Sequence, residues 1–551
     1  MMRHLILFFL LTFFLLPAYA NAETFFVNKD FDAEGKETIN ASLEISGENA
    51  YFFVDEEYLA RLPENEVLRL KSIIYNLSTE FDEVIYSGLR KVFGEESNPG
   101  IDGDRRISVL LHNMKSGVGG YVRESDFNPG IMSNSREMIY LNIEEAINTE
   151  FGPSFLAHEF QHLINYNEKT IKRGVKEDQW LNEARSEYAP TLLEYNADYK
   201  DSYLSKRVNE FLAHPSDALL DWRGRSVDHA SASMFIHYLV DRYGEEIVTY
   251  MMQANSVGAG SIDMAILALG HNESFSDVFR DWLITVYVNS MVEGTNENFK
   301  YKNTNLSFGN LHVLPSSTAR IYDNNSSLSS MSIDNWSGQW YRFVPGSIGE
   351  EADLHIKVSS SNLKNISIPY IVSDFFGNTE VKFLDTSSSS IITVGKFGKL
   401  ISSVVIIPTL MIEGKDNISH TSDVSFEVFL SNSVATRFSD GVLVRANDSE
   451  EVYIVKNGSK IGQIFKRWIQ TEEVFGFYGH LKWGDVIELK PDFLSAFDES
   501  FLIRRAGDYK VYEADKSGNK KWLDMTPEEF EARGYSWDAV YEVNEQEFNW
   551  Y

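Results

Sequence analysis

The side chains best suited to chemistry lie in two short stretches. His158-Glu159-Phe160-Gln161-His162 sets two imidazoles four positions apart with a carboxylate between them. Apolar flanks, Phe155-Leu156-Ala157 and Leu163-Ile164, predict a buried helix there. Residues four apart on a helix share a face, so both imidazoles converge on one ion while Glu159 stands beside the water that ion would bind. Two ligands leave a catalytic zinc site incomplete, because it needs a third protein ligand and an open position for water. Trp180-Leu181-Asn182-Glu183-Ala184-Arg185-Ser186-Glu187-Tyr188-Ala189 reads as a second amphipathic helix, reached through a polar loop over residues 165–178. Glu183 is its candidate metal ligand. Glu187, one turn further, is placed to accept a hydrogen bond from a ligand histidine and so fix its tautomer. The other reading of H-E-x-x-H is a pair of ordinary histidines around a solvated glutamate, and the second carboxylate-bearing helix argues against it.

The surrounding texture says what positions these residues. Residues 24–60 alternate in short apolar runs that read as strands, residues 64–93 have helical spacing, and residues 107–112 and 137–142 read as buried strands. Helical patterns then dominate residues 154–166, 179–195, 229–243 and 275–291. Strands first and helices afterwards predict an α+β catalytic region. From about residue 300 Asn and Ser become frequent between short β-rich runs at 340–344, 354–358 and 404–407, which reads as a β-sandwich-like module.

Residues 439–551 hold an internal repeat. Leu443-Val444-Arg445 recurs as Leu502-Ile503-Arg504, Val452-Tyr453 as Val511-Tyr512, Arg467-Trp468-Ile469 as Lys521-Trp522-Leu523, and 483–489 as 537–543. The expected multidomain order is an export signal over 1–22, a metallopeptidase domain over 23–300, the β-module over 301–436, and two small repeats over 437–497 and 498–551. The repeats serve either to attach the chain to a cell-surface or extracellular ligand or as a structural appendage whose Trp and Tyr residues are core.

The two site motifs resemble those of the gluzincin clan of zinc peptidases, and the chain is similar to the hyicolysin-type neutral zinc metallopeptidases of bacteria. Gly119-Gly120-Tyr121 and Ser133-Asn134-Ser135-Arg136-Glu137, leading into Met138-Ile139-Tyr140, extend the likeness upstream, so that it covers roughly residues 100–250. It implies a thermolysin-like core that cleaves peptide bonds. Where such sequences carry Tyr after Asp at the start of a later helix, this chain has Asp228-His229. The resemblance therefore offers His229 as the donor to the oxyanion, with His237, Tyr238 and Tyr188 as alternatives and a packing or capping role for His229 as the plain reading. The C-terminal units resemble short Trp-containing repeats of exported bacterial proteins.

Whole-chain properties set the boundaries. Met1 to His4 supply a basic start, Leu5 to Leu16 an apolar run too short for the roughly 20 residues of a membrane span, and Ala20-Asn21-Ala22 a cleavage pattern. Secretion or a cell-envelope location is expected, with no transmembrane segment in the mature chain. Among 551 residues there is no Cys, which excludes disulfides and a thiol nucleophile. A formal net charge of −31 argues against nucleic acid. The expected cofactor is zinc and the expected partner a protein or peptide substrate. Asp102-Gly103-Asp104 is a local candidate for calcium, with a simple turn as its other reading. A rival function is a surface-binding protein with a structural or vestigial zinc site. Glu159 argues for the secreted zinc endopeptidase, because a structural site needs no carboxylate there.

Overall fold

The computed structural model describes residues 22–551 apart from 148–150, 290–298, 323–326, 347–350, 388, 415–418, 435–437, 448, 460–462, 490 and 496. The expected export signal, up to residue 21, lies outside the described residues. The chain divides into two compact units, one of Met1–Arg207 with Tyr243–Asn272, the other of Val208–Arg242 with Glu273–Tyr551. Residues 208–242 and 273–300 thus group with the second unit.

The first unit is built on a six-stranded sheet in the order β1-β2-β3-β4-β6-β5, where β1 is Glu23–Phe26, β2 Thr38–Ser46, β3 Ala50–Asp55, β4 Ile107–His112, β5 Gly120–Tyr121 and β6 Met138–Asn142. Strands β3, β4 and β6 run parallel, with Ala50 opposite Ile107 and Ser108 opposite Met138. Every residue of β4 and β6 is buried, as expected of mainly apolar strands covered on both faces. The link from β3 to β4 is helical: α1 (Glu56–Arg61), α2 (Glu64–Glu80), a π-helical turn at Phe81–Ile85 and α3 (Tyr86–Phe93). After β6 come α4 (Ile143–Ala146), α5 (Gly152–Asn165) and α6 (Gln179–Leu192). Leu156, Phe160, Leu163 and Ile164 bury one face of α5, and Phe160 packs edge-on to Phe81 at 5.0 Å.

The polar loop expected over residues 165–178 is in part helix. The backbone continues from α5 through a π-helical turn at Tyr166–Ile171, which buries Asn167, Glu168 and Lys169. Tertiary partners explain the difference. The Lys169 ammonium donates to the carbonyls of Met251, Ala254 and Ser256 at 3.1, 3.0 and 2.8 Å and lies 3.3 Å from Glu177. Buried Arg185 on α6 donates to Glu177 and to Asn165 Oδ1, each at 2.8 Å. A charged cluster thereby ties the end of α5 to α6.

Later helices are α7 (Tyr203–Ala213), α8 (Ser226–Tyr243), α9 (Glu246–Gln253), α10 (Ala259–Ala268) and α11 (Phe275–Val288). In the second unit Phe235 of α8 packs on Phe275 and Trp282 of α11, and Trp340 Nε1 donates to Leu283 O at 3.1 Å. The β-module is one connected nine-stranded sheet, with Glu351–Ser359 paired antiparallel to both Ile391–Phe397 and Thr421–Val434. Alternate residues Leu354, Ile356 and Val358 point into a single core with Phe343, Val404 and Phe426.

Two smaller sheets follow with matching connections. In the first, Leu443–Ala446 pairs antiparallel with Val452–Asn457 and parallel with Ile487–Leu489. In the second, Leu502–Arg505 pairs antiparallel with Tyr512–Ala514 and parallel with Tyr541–Val543. The third strands, Ile464–Ile469 and Lys520–Trp522, put Trp468 opposite Tyr453 and Trp522 opposite Tyr512.

Candidate metal centre

Helices α5 and α6 lie against each other and supply the cluster. His158 and His162, one turn apart on α5, hold their rings 5.0 Å apart. Glu183 on α6 brings Oε2 to 3.3 Å from His158 Nε2 and 3.5 Å from His162 Nε2. Among the described residues these three form the group able to hold a metal, with donor atoms within 4.8 Å of one another. The fit can be tested by geometry. Ligand atoms about 2.0–2.1 Å from a tetrahedral zinc lie about 3.3–3.4 Å from each other, close to the two Glu183 separations. Two imidazole nitrogens and one carboxylate oxygen, with a fourth position left open, are the donor set of a catalytic zinc.

The surroundings hold each group in place. His158 and Glu183 are 8% exposed and Glu159 is 5% exposed. Gln179 donates to the other Glu183 oxygen, Oε1, at 2.7 Å, which leaves Oε2 for the ion. His162 Nδ1 lies 3.2 Å from Asn182 Oδ1 and 3.2 Å from Ser186 Oγ, and Ser186 in turn donates to Gln161 Oε1. Fixing Nδ1 turns Nε2 towards the cluster. Burial alone would push the His162 imidazolium pKa down, but Glu183, Glu159 and Asn182 outweigh it and raise it to about 9. The carboxylates therefore favour a bound positive charge.

Glu187 is deeper, with its Oε1 4.0 Å from His158 Nδ1. Arg207 of α7 grips both its oxygens, at 2.6 and 2.9 Å, and also reaches the Tyr203 hydroxyl. Tyr203 packs edge-on to Phe155, which stands three residues before His158, with centroids 5.3 Å apart. Its burial raises the phenol pKa, and the carboxylates of Glu187, Glu159 and Glu183 add to that rise, so Tyr203 stays a neutral donor.

Sheet edge and helix meet at Gly119-Gly120. A Cβ on Gly120 would fall 2.8 Å from the Tyr140 carbonyl and 2.9 Å from Glu159 Cγ, and one on Gly119 would fall 2.5 Å from the Phe155 ring. Only glycine lets β5 run this close to Glu159.

The remaining expected residues lie on α8, on α6 and in the turn before β4. His229 stands in the first turn of α8, in the second unit, its ring 4.7 Å from that of Trp222. On the same helix His237 Nδ1 donates to the Ser233 carbonyl at 2.7 Å, and Arg242 donates to the Tyr238 hydroxyl at 2.8 Å. Tyr188 is buried on α6. At the calcium candidate, Asp102 Oδ1 accepts the Asp104 amide at 2.9 Å, while the Asp104 carboxylate pairs with Arg106 and Tyr51, as a turn requires. Sequence spacing missed Tyr203, Arg207, Gln179 and the Asn182–Ser186 pair. Gln179 and Ser186, each one turn from Glu183 or Asn182, carried a signal; Tyr203 and Arg207 carried none.

No family model matches the chain. The neutral metalloprotease ShpI of Staphylococcus hyicus is 25% identical over 248 residues, covering 41% of this chain and 53% of that protein. The chain thus spans about half the length of that relative. Among solved structures, the M60 catalytic domain with the CBM51-1 and CBM51-2 domains from Clostridium perfringens ZmpB aligns over 78% of this chain and 66% of its own, at 10% identity and a TM-score of 0.24. The pre-peptidase C-terminal domain of a Bacillus anthracis collagenase aligns over 21% of this chain and 98% of its own, at 14% identity and a TM-score of 0.15. At those scores neither structure carries an argument.

Proposed function

We propose that the chain is an exported, zinc-dependent endopeptidase with His158, His162 and Glu183 as metal ligands and Glu159 as general base. The observation that carries this is the convergence of three donor atoms on one point beside Glu159. The likeness to a metalloprotease agrees with it. When bound, zinc supplies Lewis acidity, lowering the pKa of water and polarising a carbonyl. Glu159 takes the proton of the attacking water and returns it to the leaving amine. Gln179 keeps one Glu183 oxygen turned away, and Arg207 holds Glu187 behind His158. The edge strand β5, which Gly120 lets run against Glu159, offers main-chain groups to an extended peptide.

His229 is the proposed oxyanion donor, and the Tyr203 hydroxyl, tied to Glu187 through Arg207, is a second donor of the right chemistry. Export rests on the N-terminal pattern; no helix among the described residues is long and apolar enough to cross a membrane. The C-terminal repeats are proposed to bind a cell-surface or extracellular ligand. Metal analysis of the purified chain beside digestion of an unbiased peptide library tests the reading. One equivalent of zinc with internal cuts is expected. A chain with full zinc and no cleavage would instead favour a structural metal.

A further inference from the structure

Each C-terminal sheet carries an open tryptophan platform. Trp483 stacks on Phe475 with centroids 4.1 Å apart and planes 9° from parallel. Trp537 stacks on Phe530 at 4.3 Å and 29°. Each Phe sits on the short helix that follows a threonine cap, Thr471 or Thr526. Trp483 is 53% exposed and Trp537 40%, so these indoles are not core.

Beside the first platform is a cleft of about 460 Å³ bordered by Trp468, Trp483, Glu450, Glu451, Glu472 and Arg445. Arg445 is already paired with Glu488, so the three carboxylates leave the cleft negative. Tyr453 donates to Glu451 Oε2 at 2.6 Å and fixes that carboxylate. The volume lies within the range of ligand pockets, roughly 300–1,000 Å³.

The second sheet shows what chemistry suits such a surface. Trp468 and Trp522 hold the same register position, opposite Tyr453 and Tyr512. Counting back from those tyrosines, Lys510 stands where the first sheet has Glu451. The Lys510 ammonium lies 4.8 Å from the Trp522 ring centroid. One sheet thus covers its own indole with a lysine, while the other replaces that lysine by a carboxylate and leaves a cleft. An ammonium brought there gains both the aromatic face and charged acceptors.

We propose that this cleft binds a lysine side chain of a polypeptide partner, its ammonium over Trp468 with Glu451 as counter-ion. The cleft shares no residue with the metal centre, so its failure would leave the peptidase reading untouched. The test is calorimetric titration of the full-length protein with N-acetyl-trilysine amide at low salt, with mass spectrometry showing that the peptide stays intact. Saturable binding is expected, weakened about tenfold or more when the side-chain amines are acetylated. Glu451→Gln should weaken it similarly, and Glu451→Lys, which installs the second sheet's arrangement, should abolish it. Far-UV circular dichroism checks folding, and Glu451→Gln decides if Glu451→Lys misfolds. Equal affinity for the acetylated peptide, undiminished binding by either folded variant, or no binding at millimolar peptide would overturn the proposal. So would binding of a glucosamine tetramer in place of trilysine, which would make the ligand an amino sugar.

Discussion

In the first unit Lys169 and Arg185 are wholly buried around Glu177, whereas in the second C-terminal sheet Lys510 meets Trp522 at the surface. The same residue types serve different ends because their surroundings differ. Buried cations with fixed partners make α5 and α6 rigid, and rigidity is what a cluster of donor atoms needs. Surface cations over indoles cost little to change, so the C-terminal sheets can differ in charge at one position while sharing a backbone. Substitutions should therefore act strongly in the first region and weakly in the last.

The largest effect is expected at Glu159. Glu159→Gln keeps the shape of the side chain but cannot take a proton, so peptide turnover should fall by about 10²–10⁴-fold. Metal content, measured on the same sample, should not change. Turnover near that of the unaltered chain would remove Glu159 from the mechanism.

Glu177→Gln should cost stability rather than chemistry. It leaves Arg185 and Lys169 without their shared carboxylate, a loss on the order of 3–5 kcal/mol in urea unfolding. Burial pushes the Glu177 pKa up, but Arg185, Lys169 and the Gly258 amide outweigh it, so the folded value lies below the usual one. The stabilisation is thus fully present above the unfolded pKa of about 4.3 and is lost as pH falls through the folded value. The variant should lose that part of the acid sensitivity, and an unchanged stability-against-pH curve would break the comparison at its first term.

The oxyanion donor is the next step down. His229→Ala should lower kcat by roughly 10²-fold with KM and zinc content little changed. Tyr203→Phe removes one hydroxyl and leaves the ring on Phe155. If kcat is unmoved in His229→Ala and falls in Tyr203→Phe, the donor is Tyr203.

What could be read from the chain follows the range of the forces involved. His158 with His162, and Glu183 with Glu187, were legible as pairs because a helix repeats its face every three or four residues, while the meeting of the two helices rested on the motif and not on local spacing. Lys169 was not: Lys169-Thr170-Ile171-Lys172-Arg173 reads as solvated loop, and only the carbonyls of residues 251–256 and Glu177 make its burial tolerable. Tyr203 and Arg207 were hidden for the same reason, since Arg207 meets Glu187 from twenty positions away on another helix. The aligned C-terminal blocks predicted two like units, but not the exposure of Trp483 and Trp537, because an aromatic residue in an apolar block reads equally well as core.

The smallest expected effect is on stability in Lys510→Glu, and it sharpens the comparison most. Lys510 contacts Trp522 where the ring is 41% exposed, so losing that contact should change stability by no more than about 1 kcal/mol. The substitution gives the second sheet the carboxylate that Glu451 provides in the first. If an ammonium over the indole is what both surfaces accept, the variant should take up a second equivalent of N-acetyl-trilysine amide in the calorimeter. A single equivalent from a well-folded variant would show that the cleft beside Trp468 depends on Glu450 and Glu472 as well. Those positions are Tyr509 and, at the start of the short helix, Pro527 in the second sheet, and neither brings a charge to the ligand.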